Sequence, residues 1–283
     1  MKKITIVLLL FCSTSLLAQF NFNTTSGSGI ESPTNTASGN SSVAMGENSI
    51  ASEYAATAMG ESTTASGYVS LALGKNTTSS AEQSIATGYG TTASGDRATS
   101  LGLNTTASGT SSTAMGLHTV SESASSLVIG TWNELNEGDE WPLFVIGNGG
   151  WDVTGTNYLG GEENRSNAFE VLFDGTTTIA GDLSINSDAR LKANIVSLGA
   201  TLTKLLQIDG KSYTMKKDES EKQKIGLLAQ DIEKVFPELV SESNGIKSVN
   251  YQGLVPVLIN ALKEQQSEID ELKTMLKTLL ERQ

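Results

Sequence analysis

The stretch that decides the fold is Ser42-Val43-Ala44-Met45-Gly46, which returns as Ala56-Thr57-Ala58-Met59-Gly60 and as Ser70-Leu71-Ala72-Leu73-Gly74. Each copy alternates a small residue with a larger or β-branched one and closes on glycine. Such alternation belongs to a strand with two unlike faces rather than to a helix. Gly46, Gly60, Gly74, Gly88, Gly102, Gly116 and Gly130 hold a 14-residue spacing without slippage. A second series, Gly39, Gly67, Gly95 and Gly109, lies on the same grid, with Glu53, Ala81 and Ser123 in its remaining places. A coil of this length accommodates two short strands and two turns, and a single coil cannot bury its apolar face, so coils must stack. The reading is a narrow parallel β-roll over residues 37–130. Glycines are expected at its corners, where positive φ or close backbone approach is needed. The larger set is expected to fill the roll, and the small set to let another chain approach.

Working outward, residues 19–36 are polar and rich in Gly, Ser and Thr, which predicts a flexible lead-in. Residues 1–18 have the layout of a signal peptide: Lys2 and Lys3, an apolar run from Ile4 to Cys12, and Leu16-Leu17-Ala18 before a cut at Gln19. That run is too short to span a bilayer comfortably, so the mature chain is expected to be secreted and not membrane-spanning. The chain has one cysteine, Cys12, and one histidine, His118. Loss of the leader removes the cysteine, and with it disulfides, thiolate metal sites and cysteine nucleophiles. No metal and no cofactor are expected. His118 falls at a variable position of its coil and reads as surface filler.

Charge is uneven. The net charge of the whole chain is −12, and without Lys2 and Lys3 it is −14. Residues 19–186 hold 3 basic and 17 acidic residues, whereas residues 187–283 hold 14 of each. The acidic body argues against a nucleic-acid partner and against anionic membrane.

Downstream of the roll, the period breaks at Thr131-Trp132-Asn133, and residues 131–186 read as a β-rich connector or neck. Leu143 to Gly150 predicts a buried strand running into a glycine turn, and Asp174-Gly175 predicts a hairpin. Trp132, Trp141 and Trp151 all lie here and are expected to form its core. The nonapeptide pattern of calcium-binding repeats is absent.

At Ser187 the composition changes: lysines appear and glycines thin out. Ala200 to Ile208 predicts a short helix, Lys211 to Lys216 a strand, Ile225 to Phe236 a strand entering a helix that stops before Pro237, and Ser248 to Tyr251 a strand. Over residues 254–283, Val255, Leu262, Ile269 and Leu276 share one heptad position, and Leu258, Gln265, Leu272 and Leu279 the other. This predicts a coiled coil, with an amphipathic helix packed on its own domain as the alternative. The fold class is thus a mainly β N-terminal part, a parallel β-roll, plus a small α+β C-terminal domain ending in a coiled-coil helix. From spacing alone, Ser187 is an N-cap candidate in Ser187-Asp188-Ala189-Arg190-Leu191-Lys192.

Two resemblances add to this reading. Ser41-Ser42-Val43-Ala44-Met45-Gly46 and Ser125-Ser126-Leu127-Val128-Ile129-Gly130 resemble the repeated motif of YadA-like trimeric adhesin heads. That resemblance implies a left-handed roll, a homotrimer and display at the bacterial cell surface, with a host-surface, matrix or glycan ligand open. Residues 187–283 resemble the C-terminal intramolecular chaperone of phage endosialidases and tail spikes, a self-cleaving serine peptidase family. The match rests on Ser187 to Ile195, on Gly226-Leu227-Leu228-Ala229-Gln230-Asp231 with Phe236-Pro237-Glu238-Leu239-Val240, and on Val249-Asn250-Tyr251. It implies a Ser187–Lys192 dyad that cuts between Asn186 and Ser187. A serine hydroxyl needs a base within hydrogen-bond reach, and a lysine serves when burial or a neighbouring cation strips its proton. Arg190 would contribute part of that field and Asp188 would oppose it. Three functions follow: a trimeric fibre or adhesin matured by its own chaperone in a single turnover, an uncleaved structural fibre with a permanent trimeric foot, or a carbohydrate-binding spike. The last lacks paired carboxylates upstream of Ser187.

Overall fold

The computed structural model describes residues 21–22, 30–31, 34–135, 141–151, 159–216 and 221–282. The leader assigned to residues 1–18 lies outside them. The chain divides into two units, one ending at Ser184 and the other beginning at Ile185.

The first unit is a β-solenoid. Long strands Val43–Glu47, Thr57–Glu61, Leu71–Lys75, Ile85–Tyr89, Thr99–Leu103, Thr113–Leu117 and Leu127–Thr131 stack in parallel, each pairing with the residue 14 places on, as in Gly46↔Gly60. Short strands, Thr36–Ala37 through Val120–Ser121, form a second parallel sheet with the same step. The break at Thr131 does not end the roll. Pro142–Asn148 adds one more parallel rung, with Gly130↔Gly147, so a three-residue insertion hides the last coil from a 14-residue search. Antiparallel pairing then takes over: Asn167–Leu172 joins Pro142–Asn148, and Thr177–Ile179 joins Asn167–Leu172 across the Asp174-Gly175 turn. At the other end, Ile30–Glu31 in the lead-in pairs in parallel with Val43–Ala44.

The two faces are the reverse of the expectation. The small set lies inside: Ala44, Ala58, Ala72, Ala86, Ser100 and Ala114 are each 0 % exposed, as is the facing row Ala37, Ala51, Ala65, Ser79, Ala93, Ala107 and Ser121. The larger set, including Val43, Met45, Met59, Leu73 and Met115, points outward and is half-buried or exposed. Two sheets joined by such short turns leave room between them for small side chains, with valine entering the inward row only in the last two rungs, at Val128 and Val145, so the larger set is forced out.

Corners also differ from the expectation. Left-handed residues recur at Ser41, Ala55, Val69, Gln83, Arg97, Ser111 and Ser125, and again at Asn48, Ser62, Asn76, Gly90, Asn104, His118 and Trp132. Most are not glycine. From Ala55 onward each bend is held because its N–H donates to a carbonyl of the preceding coil, as Ala55 N to Asn40 O at 2.9 Å and Ser62 N to Glu47 O at 2.8 Å. The glycines of the Gly46 series serve close approach: a Cβ on Gly88 would lie 1.9 Å from Gly102 O, at a φ of +132°.

Inside one corner runs a hydroxyl row, Ser49, Thr63, Thr77, Thr91, Thr105 and Thr119, all 0 % exposed. On the same grid it begins at Asn35 and ends at Asn133. Within the roll, Thr106 N donates to Thr119 O at 2.9 Å. One coil later Val120 N donates to the side chain of Asn133, at Oδ1, 2.8 Å away, while Asn133 Nδ2 donates to Val120 O at 3.0 Å. At the other end Ser49 N donates to Asn35 Oδ1 at 2.7 Å. A side-chain amide therefore takes the place of peptide groups that a further coil would supply.

His118 is no surface filler. Its ring stacks on Trp132 with centroids 4.0 Å apart, and Asn104 Nδ2 lies 3.2 Å from its Nε2. Arg165 covers Trp132 at 5.0 Å and donates to His118 O and Asn133 O. Of the three tryptophans only Trp132 is buried; Trp141 is 58 % and Trp151 40 % exposed, so the expected three-tryptophan core reduces to one ring.

In the second unit, Lys211–Tyr213 pairs with Lys224–Gly226, and Val240–Ser243 with Ile246–Val249, both antiparallel. Asn244 and Gly245, with φ of 51° and 76°, make the tight turn of the latter. Helix Ala229–Val235 stops at Phe236, before Pro237. Ile232, Phe236 and Val257 form the core, with Leu205, Leu227, Leu239 and Val249 packed against it. Long helix Leu254–Leu280 divides its apolar residues. Leu254, Val257 and Ala261 are buried inward, while the heptad positions Val255, Leu258, Leu262, Ile269, Leu272, Leu276 and Leu279 are exposed. The helix thus packs its first turns on its own unit and keeps the seam outward. Its Glu264 carboxylate accepts from Thr201 N at 2.7 Å, Leu202 N at 3.0 Å and Thr201 Oγ1 at 3.1 Å, capping the short helix Leu202–Leu205. These donors hold the carboxyl below its ordinary pKa.

Candidate functional site

The hexapeptide Ser187–Lys192 forms one turn of 3-10 helix, Ala189–Leu191. Asp188, not Ser187, is its N-cap: Arg190 N donates to Asp188 Oδ1 at 2.8 Å. Leu191 N donates to Asp188 O and Lys192 N to Ala189 O, both at 3.1 Å. Asp188 and Lys192 are extended at either side of the turn, with ψ of 134° and 145°. The chain enters and leaves the turn so that the two flanking side chains meet. Lys192 Nζ donates to Ser187 Oγ at 2.7 Å. The two residues named for the dyad are thus brought together across five positions, and Asn186 precedes them in exposed, irregular chain.

Arg190 and Asp188 face each other rather than Lys192. The Arg190 fork grips the Asp188 carboxylate with Nε at 3.0 and 3.1 Å and Nη2 at 2.6 Å. That pairing lowers the Asp188 pKa and raises that of Arg190. Arg190 is therefore paired with a carboxylate and is not an isolated cation. Sequence reasoning missed this pair; an acid and an arginine two residues apart across a turn were its only signal.

The chemistry available to the turn is nucleophilic. A neutral amine at this distance accepts the Ser187 proton, whereas the ammonium donates to it. Leu191, Ile195 and Val196 beside it are 71 %, 67 % and 82 % exposed, an apolar surface left uncovered by the described residues. Among the described residues no group of His, Cys, Asp or Glu is placed to hold a metal ion, and no helix is long and apolar enough to cross a membrane.

Two family models match this architecture. Residues 37–60, 65–91 and 93–119 match the YadA head domain repeat, and residues 187–241 match the family described as chaperone of endosialidase. The second match begins at the serine of the turn.

Among individual proteins, the chain is similar to long tail fiber protein Gp37 of Salmonella phage S16, at 32 % identity over 141 residues, covering 46 % of this chain and 19 % of that protein. It is also similar to long tail fiber protein Gp37 of Enterobacteria phage M1, at 35 % identity over 130 residues, covering 40 % of this chain and 51 % of that protein. The chain spans about half the length of one relative and about a fifth of the other.

Proposed function

We propose that this chain is a homotrimeric, extracellular fibre or adhesin-like protein whose C-terminal unit drives assembly and then cuts itself free between Asn186 and Ser187. The observation that carries the reading is the 2.7 Å contact of Lys192 Nζ with Ser187 Oγ at the first residue of the chaperone match. Outward apolar rows on the roll, together with the outward seam of the long helix, support association of copies through both units. The relatives are tail fibres by name, which supports a place on a particle or outside the cell.

In the proposed reaction the neutral Lys192 amine takes the Ser187 hydroxyl proton, and Oγ attacks the Asn186 carbonyl carbon. The C–N bond breaks, its electron pair passes to the Ser187 nitrogen, and the Lys192 ammonium returns the proton there. The resulting ester between Asn186 and Ser187 Oγ is opened by water, leaving a carboxylate on Asn186 and a free amine on Ser187. Deprotonation of the lysine requires a dry setting, which neighbouring copies would create by covering Leu191, Ile195 and Val196.

The test is the mass of products from the full chain and from Ser187→Ala. Release of a fragment beginning at Ser187 from the unsubstituted chain alone is expected; equal intact masses would leave the C-terminal unit as a permanent foot.

A further inference from the structure

We infer that Asp188 and Arg190 are positioning residues for the self-cleavage: their paired side chains fold the turn that sets Lys192 Nζ against Ser187 Oγ. This rests on the reading above, which names only the serine and the lysine.

The reasoning starts from exposure. Residues 185–200 are exposed throughout, so among the described residues no packed neighbour shapes the hexapeptide. Its hydrogen bonds are internal: two backbone bonds of the 3-10 turn, the Asp188 cap, the Arg190 fork and the serine–lysine contact. A single 3-10 turn is a weak structure. Lysine carries a long, freely rotating chain whose rotamer entropy opposes holding it in one place. Asp188 ties the first residue of the turn to Arg190 through both backbone and side chain, four contacts in all. Both oxygens of the carboxylate are used, a geometry that asparagine or lysine substitutes cannot reproduce. The fork touches neither the serine hydroxyl nor the amine, so its contribution is to geometry. A misplacement of about 1 Å at a reacting centre costs on the order of 10²-fold in rate.

The test uses the full chain with the double substitution Asp188→Asn/Arg190→Gln, which removes the pair at constant net charge. Release at neutral pH is expected to slow on the order of 10²-fold, with trimer content unchanged, and Asp188→Glu to recover part of the rate. Unchanged release in the double variant would overturn the inference. A second measurement stands independently of cleavage. In a Cys12→Ser/Ser187→Cys chain, alkylation rate against pH reports the ionisation of the introduced thiol. An ammonium beside it favours the thiolate and lowers the midpoint from the ordinary value of about 8.5. Lys192→Met should raise that midpoint, and Asp188→Asn/Arg190→Gln should raise it as far. A midpoint that responds to Lys192→Met and ignores the double substitution would overturn the inference, as would one that ignores both. If the unsubstituted chain never releases a fragment, the self-cleavage reading fails, while the thiol titration still decides whether the pair places the lysine.

Discussion

The roll and the C-terminal unit solve the same problem by opposite means. The largest fully buried side chains of the roll are Val128, Val145 and threonines, and its interior is rows of alanine and serine repeated coil after coil. The C-terminal unit is held by three large buried side chains, Ile232 and Phe236 from one short helix and its C-cap and Val257 from the long helix. Stability in the first is distributed over a backbone ladder whose rungs are alike. In the second it rests on a few contacts without repetition. Both send large apolar residues outward: Met45, Met59 and Met115 on the roll, and Leu258, Leu262 and Leu272 on the long helix. Exposed leucine and methionine in rows of this kind mark an interaction surface, which the proposed homotrimer would cover.

Substitutions in a Ser187→Ala background, which keeps the chain whole, sharpen this contrast. The largest effect is expected at Phe236→Ala, about 3–5 kcal/mol by chemical denaturation, seen in the C-terminal transition alone. Gly88→Ala should cost the roll about 3 kcal/mol, since φ is +132° and the new Cβ would meet backbone at 1.9 Å. Asn133→Ala should cost about 1–3 kcal/mol, because Val120 N–H and C=O lose their partner, and hydrogen exchange should quicken at Val120 first. An effect spread evenly over all coils would contradict end-capping by this amide. The smallest effect is expected at Glu264→Gln. The folded carboxyl titrates below its ordinary range, so its contribution is full above that range and is lost as pH falls through the lowered value. The melting temperature of the Gln variant should lie below that of the parent at neutral pH, with the gap closing on acidification.

How far each region was legible follows from the same contrast. Repetition made the coil length plain, because Gly46 to Gly130 report one backbone requirement seven times over. Alternation separates two faces without saying which is inner; that depends on the spacing between the sheets, a tertiary quantity. Ala55 and His118 give no sign of a left-handed corner, since the bend is held by backbone bonds to the preceding coil rather than by residue type. The eighth coil was hidden by three inserted residues. In the C-terminal unit, Pro237 and the heptads were readable, and Asn244-Gly245 carried a hairpin signal left unused. The Ser187–Lys192 pairing came from resemblance, while the Asp188–Arg190 fork required coordinates.

The most direct test of outward apolar rows as contacts between copies is the mass of the assembled Ser187→Ala chain, by sedimentation equilibrium at micromolar concentration. Three copies are expected, with Leu262→Glu/Leu272→Glu dissociating the C-terminal contact. A single copy, or a pair unaffected by that substitution, would contradict the account.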